Sequence, residues 1–292
     1  MEKLPKIHIV APAGAVDKIT IQKGIKYLQT LDLLCITGKS MFAKNGYLAG
    51  SDLNRLTDLQ TALDDTKAAA IWAARGGYGT TRIIDQIRWT KFFKKPFWLV
   101  GFSDITTLHI HLSNNNIPSI HGPMISQACD DTHHESIKLI SSILKHELPE
   151  YVLQSTKYNR TGKAKAQITG GNLTLICSTI GTATEIVTDN KMLFIEEVSE
   201  AAYHIDRMLV QLKRAGKFKK LKGLIIGHMT NIIEEKKFGK SVFEIILEHT
   251  KEYNFPICFQ FPAGHEAPNM PLILGMKSEL VVEKTEVRLR YL

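Results

Sequence analysis

The sequence predicts an α/β protein whose first half forms a parallel β-sheet. Short apolar runs, typical of strands that are buried on both faces, alternate with amphipathic stretches at helical spacing. Several of the apolar runs end in glycine-containing turns, and no internal repeat or low-complexity tract interrupts the alternation. Such a pattern is typical of β–α–β units, in which helices cover both faces of the sheet.

The first half contains five predicted strands, at residues 7–14, 33–37, 67–74, 97–102 and 118–120. The helices predicted between and after them cover residues 16–31, 51–63, 80–87, 105–112 and 134–145. Ser51 is expected to cap the second helix, because leucines at near-helical spacing follow it. Turns at the carboxyl ends of parallel strands meet at one edge of a sheet, so a site is expected there.

A change in character near residue 150 predicts two domains, 1–150 and 151–292. Residues 146–165 are polar and are expected to form a linker. The second half combines predicted helices with extended segments and ends in a hairpin. The helices are predicted at 173–180, 203–215 and 241–253, and the extended segments at 184–188, 192–197, 221–229, 256–261, 280–283 and 286–291.

The composition excludes several classes of protein. Lysine and arginine total 37 and aspartate and glutamate 29, which gives a net charge of +8. The basic residues form short clusters without interleaved aromatics, so we expect a solvated basic surface rather than nucleic-acid binding, although an acidic ligand stays open. No segment has the length of a membrane span or the form of a signal peptide, which predicts a cytoplasmic protein without membrane association.

No pattern indicates a metal or a cofactor. The four cysteines are far apart and form no CxxC pair, so free thiols are expected. His109 and His111 lie on a predicted helix, where side chains two residues apart point in different directions. The acidic cluster 130–135 lies at a predicted helix start, where acidic caps are favoured. Residues 75–79 are glycine-rich but match neither nucleotide-binding pattern.

A serine stands at the end of the buried strand at 97–102. The apolar run stops at Gly101-Phe102-Ser103-Asp104, and a helical pattern begins at once. A serine on a sharp strand-to-helix turn can be held out of the sheet as a nucleophile, with backbone N–H groups of the helix start beside it. The sequence lacks the second glycine of the G-x-S-x-G motif, which weakens this interpretation. Ser103 can also be a helix cap, because serine is a favoured residue at that position.

Two other predicted strands end at groups that could act with Ser103. Glu196 follows an apolar run, and His265 follows another in a turn. Each alone is most simply a surface residue. Together, Ser, Glu and His in this order suit acyl transfer, in which the histidine takes the serine proton and the carboxylate orients the histidine. The turn at 75–79 could bring N–H groups to an oxyanion as readily as to a phosphate.

Taken together, these motifs resemble the LD-carboxypeptidases, also called muramoyltetrapeptide carboxypeptidases. They occur in the order of the family and extend over most of the chain. The resemblance rests on Arg75-Gly76-Gly77-Tyr78-Gly79, Gly101-Phe102-Ser103-Asp104, His121-Gly122-Pro123-Met124, Gly170-Gly171-Asn172-Leu173, Phe194-Ile195-Glu196-Glu197-Val198, Tyr203-His204-Ile205-Asp206-Arg207-Met208-Leu209 and Gly264-His265.

The resemblance implies a serine peptidase with an N-terminal domain similar to the class I glutamine amidotransferases and a smaller C-terminal α/β domain. It implies that Ser103 is the nucleophile, Glu196 the orienting carboxylate and His265 the general base. Since these residues come from both predicted domains, the site is expected between the domains.

Further site residues are implied by the same motifs. The N–H of Asp104 and that of Gly76 or Gly77 would form an oxyanion hole. Arg75 could bind a terminal carboxylate, because a guanidinium suits bidentate carboxylate binding, or could belong to a structural ion pair.

The implied reaction is hydrolysis of the LD bond that releases terminal D-alanine from murein tetrapeptide, during cytoplasmic recycling of the cell wall. Glu197 or Glu200 would meet the ammonium group of the diamino acid. No cofactor or metal is implied, and the family suggests a homodimer. The chain departs from the family at Glu196-Glu197, where Glu-Asp is common, and at Tyr203-His204, where Tyr-Arg is common.

Two alternatives stay open. A branch of the family gives self-immunity to microcin C by cleaving peptidyl- or aminoacyl-nucleotides, but it is typically longer and carries an insertion with aromatic residues. A catalytically silent protein that binds murein peptides or nucleotides would keep the cleft and lose turnover. The intact trio Ser103, Glu196 and His265 favours an enzyme.

Overall fold

The computed structural model describes residues 4–234 and 238–292. Its strands are β1 Lys6–Val10, β2 Leu34–Thr37, β3 Ala70–Ala73, β4 Trp98–Gly101, β5 Ser119–His121, β6 Glu150–Gln154, β7 Gly162–Asn172, β8 Met192–Val198, β9 Gly223–Thr230, β10 Ile257–Cys258, β11 Leu272–Leu274, β12 Lys277–Val282 and β13 Glu286–Tyr291. Its α-helices are α1 Lys18–Gln29, α2 Asp52–Leu63, α3 Thr90–Lys94, α4 Thr106–Asn114, α5 His134–Leu144, α6 Leu173–Thr179, α7 Ala202–Arg214 and α8 Val242–Thr250.

The first sheet has the strand order β11-β5-β4-β3-β1-β2 in the described residues. Strands β1 to β5 run parallel, as the alternation of strands and helices predicts, and β11 pairs antiparallel with β5. Successive residues of β3 point to opposite faces, so Trp72 packs towards α1 and α5 while Ile71 and Ala73 pack towards α2 and α4. Helices therefore cover both faces of this sheet.

The second sheet has the strand order β10-β9-β8-β7-β12-β13-β6 in the described residues. Strands β7 to β10 are parallel, whereas β7, β12, β13 and β6 pair antiparallel. The predicted hairpin at the end of the chain is confirmed as β12 and β13. The predicted α/β class is confirmed, with two sheets that each contain a run of parallel strands.

The chain passes from one sheet to the other more than once, so no single boundary separates the two sheets. Strand β6 begins at residue 150 and pairs with β13, while β11, close to the end of the chain, returns to the first sheet. The polar stretch expected to be a linker therefore includes β6 and the start of β7. The division at residue 150 stays a prediction.

Helix α4 packs between the two sheets. Leu108 and Leu112 join the apolar cluster on the first sheet, and Ile110 joins the cluster on the second. The buried Lys191 donates from Nζ to the carbonyl oxygen of Ser113, at 2.8 Å. Since α4 starts directly after the Ser103 turn, this packing sets the position of the turn relative to the second sheet.

Two predicted elements are wrong. Residues 80–87 form two separate 3₁₀ turns, Thr80–Arg82 and Ile84–Gln86, instead of one helix, and their N–H groups bond to carbonyl oxygens three residues earlier. Residues 184–188 form no strand, since side chains bond their N–H groups: Thr182 Oγ1 accepts from Thr184 and Asn114 Oδ1 from Val187. None of the helices in the described residues is both long and apolar enough to cross a membrane.

Candidate active site

Ser103 lies in a strained turn directly after β4. Its φ angle is +60°, in the left-handed region that residues with a β-carbon rarely adopt. A short 3₁₀ turn, Ser103–Ile105, then leads into α4. Neither the turn nor α4 receives a capping hydrogen bond from a side chain, so in the described chain the Ser103 hydroxyl does not act as a helix cap. A half-buried serine held in this conformation is presented as in a nucleophile elbow.

Two buried contacts hold the Ser103 turn in place. The Asp104 carboxylate accepts the Thr80 N–H at 2.8 Å, and the Thr80 hydroxyl donates to the Asp104 carbonyl oxygen at 2.6 Å. On the other side, His109 Nε2 donates to the Gly101 carbonyl oxygen and its Nδ1 accepts from the Ser119 hydroxyl, both at 2.8 Å. Burial lowers the pKa of His109 to about 4, so it is a neutral structural group.

The glycine turn at 75–79 lies against the serine. A β-carbon added at Gly76 would be 3.0 Å from Ser103 Cβ and 3.1 Å from its Oγ. Gly77 has a φ of +107°, and a β-carbon there would be 2.7 Å from the Tyr47 hydroxyl oxygen. The φ of Gly77 therefore requires glycine, a side chain at Gly76 would crowd Ser103, and the backbone of this turn can approach a group bound at Ser103.

Glu196 and His265 form a buried pair. Glu196 Oε2 lies 2.6 Å from His265 Nδ1, and the Glu196 side chain is fully buried while that of His265 is 18% exposed. Burial of the ring acts to lower the pKa of His265, but the hydrogen bond to Glu196 and the charges of Glu196 and Glu197 raise it above the ordinary value. Burial raises the pKa of Glu196, against the opposing effect of His265. The carboxylate therefore fixes the ring and favours its imidazolium form.

A direct contact between α4 and β7 brings this pair towards Ser103. Thr106 Oγ1, three residues after the serine, accepts the N–H of Asn172 at 3.0 Å. Asn172 is the residue of β7 that pairs with Glu196 on β8. A β-carbon at Gly171 would be 2.4 Å from Thr106 Oγ1, so the close approach of α4 to β7 requires glycine.

The ring of Phe102 packs edge-on against the ring of His265, with centroids 4.8 Å apart. Within the described residues, the Ser103 hydroxyl makes no direct hydrogen bond to His265. Catalytic hydrogen bonds are often long without substrate and tighten in the complex. The structure thus gathers Ser103, Glu196 and His265 at the junction of the two sheets, with the glycine turn beside them.

Comparison with known proteins identifies the family of the chain. Residues 7–122 match the LD-carboxypeptidase N-terminal domain, and residues 165–280 match the LD-carboxypeptidase C-terminal domain. The chain belongs to the LD-carboxypeptidase family.

Individual LD-carboxypeptidases extend the match over nearly the whole chain. A probable murein peptide carboxypeptidase of Bacillus subtilis is 34% identical, covering 98% of this chain and 92% of the relative. The crystal structure of a muramoyltetrapeptide carboxypeptidase from Oxalobacter formigenes has the same fold, with a TM-score of 0.89, 24% identity and 98% of both chains covered. The microcin C7 self-immunity protein MccF of Escherichia coli is 21% identical and covers 92% of this chain and 89% of its own length.

Arg75, expected to meet a carboxylate, is exposed beside the glycine turn. Its Nη1 donates to the Ala15 carbonyl oxygen at 2.8 Å, and Ala15 N–H in turn donates to the carbonyl oxygen of Tyr47. Among the described residues it belongs to no ion pair. The structural ion pair that we considered is therefore absent there, and most of the guanidinium can reach a ligand.

The two glutamates expected near the substrate differ sharply. Glu197 is buried, and its carboxylate accepts four hydrogen bonds, from Asn172 Nδ2, from the N–H and hydroxyl of Thr174, and from the Val198 N–H. These contacts favour a structural role at the start of α6. Glu200 is partly exposed, and its Oε2 lies 2.6 Å from His204 Nδ1.

The structural roles of three residues were not predicted from the sequence. Thr106 joins the two sheets, Tyr47 covers the glycine turn, and His121 lies fully buried against the rings of Phe102 and Phe194. Burial holds the pKa of His121 well below its ordinary value, so it adds no positive charge near His265. Each depends on contacts between residues that are distant in the chain, which no local motif encodes.

The described residues contain no group of three His, Cys, Asp or Glu side chains placed to hold a metal ion. The cysteines are unpaired there, and burial raises the pKa of Cys35 to about 11 and those of Cys177 and Cys258 to about 12. These three thiols are therefore poor nucleophiles.

Proposed function

We propose that this chain is a serine LD-carboxypeptidase that releases terminal D-alanine from murein tetrapeptide. The observation that carries the proposal is the buried Glu196–His265 pair beside the strained Ser103 turn. Membership of the LD-carboxypeptidase family and the name of the B. subtilis relative support a murein peptide as the substrate.

The reaction would begin with proton transfer from the Ser103 hydroxyl to His265 Nε2, as Oγ attacks the carbonyl carbon of the LD bond. The carbonyl oxygen becomes an oxyanion, which the N–H of Asp104 and that of Gly76 or Gly77 would stabilise. Protonated His265 would then give its proton to the amine of the departing D-alanine, leaving the tripeptide as an ester on Ser103.

Water would hydrolyse the ester in the second half of the reaction. His265 takes a proton from the water, the resulting hydroxide attacks the ester carbon, and the proton returns to Ser103 Oγ as the ester bond breaks. In both halves Glu196 stabilises the imidazolium, and its full burial keeps solvent from weakening that interaction.

The substrate-binding roles follow the exposed charges. Arg75 would bind the terminal carboxylate, since its guanidinium lies beside the glycine turn and belongs to no ion pair among the described residues. Glu200 would meet the ammonium of the diamino acid, in competition with His204. Glu197 has no place in this proposal, because internal donors occupy its carboxylate. A cytoplasmic role in cell-wall recycling and a homodimer, both implied by the family resemblance, complete the proposal.

The deciding experiment incubates the purified protein with murein tetrapeptide and measures tripeptide and D-alanine by mass spectrometry. Ser103→Ala should abolish release, whereas Ser178→Ala, on the exposed surface of α6, should retain it. Absence of release by the wild type, or undiminished release by Ser103→Ala, would overturn the proposal. Labelling of Ser103 by an active-site phosphonate separates an enzyme from a silent binding protein.

The alternative substrate is a peptidyl- or aminoacyl-nucleotide. The similarity to MccF and the exposed rings of Tyr47 and Tyr78 beside the glycine turn favour testing it, since aromatic rings can stack on a base. Turnover of an aminoacyl sulfamoyl adenosine is compared with that of murein tetrapeptide at equal enzyme concentration. A higher kcat/KM for the nucleotide would show that the nucleotide, not the murein peptide, is the preferred substrate. The proposed catalytic residues would stay the same.

A further inference from the structure

The loop that carries His265 is held from inside by one asparagine. Asn269 is fully buried, and its Oδ1 accepts the N–H of Gly264 at 2.9 Å. The Met270 N–H closes the base of the loop by donating to the Pro262 carbonyl oxygen at 2.7 Å. The residue directly before His265 therefore depends on a side chain five positions further along the chain.

Gly264 also lies against the carboxylate that His265 needs. It has a φ of +136°, and a β-carbon there would be 3.1 Å from Glu196 Oε2 and 3.0 Å from His228 Cβ. The Gly264 backbone is thus confined between β8 and β9, and its N–H donates to Asn269. A shift of Gly264 would change the distance between His265 Nδ1 and Glu196 Oε2, now 2.6 Å.

We propose that Asn269 is a positioning residue, which holds Gly264 so that His265 stays hydrogen-bonded to Glu196. The inference rests on the proposed role of His265 as general base. Asn269 acts through the loop backbone and needs no contact with substrate. Its specific contribution is the acceptor oxygen, because Asn269 Nδ2 has no hydrogen-bond partner among the described residues.

In Asn269 the amide oxygen accepts a hydrogen bond, whereas the amide nitrogen has no partner among the described residues. Two variants can therefore test the role of the oxygen. Asn269→Leu has a similar shape and removes the acceptor, which leaves the buried Gly264 N–H without a partner. Asn269→Asp keeps an acceptor oxygen at the same position and puts a second, titratable oxygen in place of the NH₂ group, which has no partner among the described residues. If Asn269 only filled space, both variants would change catalysis to the same extent.

Asn159 provides a control. Its Oδ1 accepts the Phe259 N–H at 2.8 Å, so Asn159→Leu removes the same kind of backbone contact at the start of the segment that leads to His265, rather than directly beside the histidine. Both leucine variants should lose thermal stability. Only Asn269→Leu should alter catalysis.

The expected kinetic result is a fall in kcat of about 10- to 100-fold for Asn269→Leu, with KM little changed, because a misplacement of about 1 Å can lower the rate about 100-fold. The acid limb of its kcat/KM profile should move to lower pH, since His265 loses part of the interaction with Glu196. Asn269→Asp should recover kcat to within a few-fold of wild type. Asn159→Leu should keep the wild-type kcat and profile.

Apart from the carboxyl group that Asn269→Asp introduces, the titratable groups that face His265 are the same in all variants. They are Glu196 and Glu197 on β8, His228 on β9 and His121 on β5. Asn269→Ser, which leaves room for water, replaces Asn269→Leu if that variant does not fold. Wild-type kcat and an unmoved acid limb in the folded leucine or serine variant would overturn the inference, as would an equal loss in Asn269→Asp.

A measurement without substrate separates this inference from the proposed function. Proton NMR of the ¹⁵N-histidine-labelled protein follows the His265 Nδ1–H signal and its titration in wild type, Asn269→Leu and Asn159→Leu. Loss of the signal, with a lower His265 pKa, in Asn269→Leu alone supports the positioning role. That result would stand even if the wild type failed to cleave murein tetrapeptide, a failure that would reject only the proposed function.

Discussion

Replacing Glu196 by glutamine changes the proposed triad with very little change in shape. The substitution removes a negative charge from a fully buried position 2.6 Å from His265 Nδ1. If the amide oxygen faces the ring, the hydrogen bond survives without its charge. If the amide NH₂ faces the ring, Nδ1 must accept, the proton moves to Nε2, and His265 can no longer take the proton of Ser103.

The size of the effect follows from the burial of the pair. A comparable Asp-to-Asn change in a Ser-His-Asp triad lowers kcat by about 10⁴. Glu196 is fully buried and the His265 side chain is only 18% exposed, so solvent screens the interaction little. We therefore expect Glu196→Gln to lower kcat by about 10³- to 10⁴-fold, which corresponds to about 4 to 5.5 kcal/mol of transition-state stabilisation.

The assay measures D-alanine release from murein tetrapeptide as a function of pH. Glu196→Gln should also move the acid limb of kcat/KM to lower pH, since the carboxylate raises the pKa of His265. Glu197→Gln, the same change one residue along β8, should lower thermal stability through its four internal hydrogen bonds with a much smaller loss of rate. A loss below about tenfold for Glu196→Gln, with an unmoved acid limb, would refute the triad.

Three further outcomes are expected. In the wild type the acid limb of kcat/KM should lie above about pH 6.5, because the raised pKa of His265 delays formation of the neutral base; a lower limb would contradict its role. Thr106→Val should cost about 1–3 kcal/mol in urea unfolding, because the buried Asn172 N–H loses its acceptor; unchanged stability would contradict that contact. Gly76→Ala should lower kcat while the protein stays folded by circular dichroism, because the new β-carbon would lie 3.1 Å from Ser103 Oγ; full activity would show that the turn is not close to the reacting atoms.

The local patterns of the sequence predicted most of the elements of the fold. Ser51 caps α2 as expected, with a reciprocal bond from Asn54, and the apolar runs at 97–102 and 192–197 are β4 and β8. These predictions succeed because capping and periodicity depend on residues within a few positions. The helix predicted at 80–87 is wrong, since the N–H groups there bond three residues back in two short turns, and the first turn is tied to Asp104, 24 residues away.

For the candidate site, the sequence predicted the residues but not the contacts of their side chains. Strand-end Ser103, Glu196 and His265 could be named from their order and from the family resemblance, but the same patterns placed Glu197 near the substrate. The structure instead surrounds the Glu197 carboxylate with four internal donors. Adjacent residues on a strand point to opposite faces, so the identity of a strand end does not tell which carboxylate faces the histidine.

By itself, the sequence determined an α/β chain, a serine on a strand-to-helix turn, and the glutamate and histidine that could complete its chemistry. Tertiary structure alone decided that β11 returns to the first sheet, that α4 packs on β7 through Thr106 and Gly171, and that Asn269 holds the His265 loop. The physical reason is range. Propensity and periodicity act over a few residues, whereas a 2.6 Å contact between Glu196 and His265, 69 positions apart, depends on how strands distant in the chain pair in the second sheet.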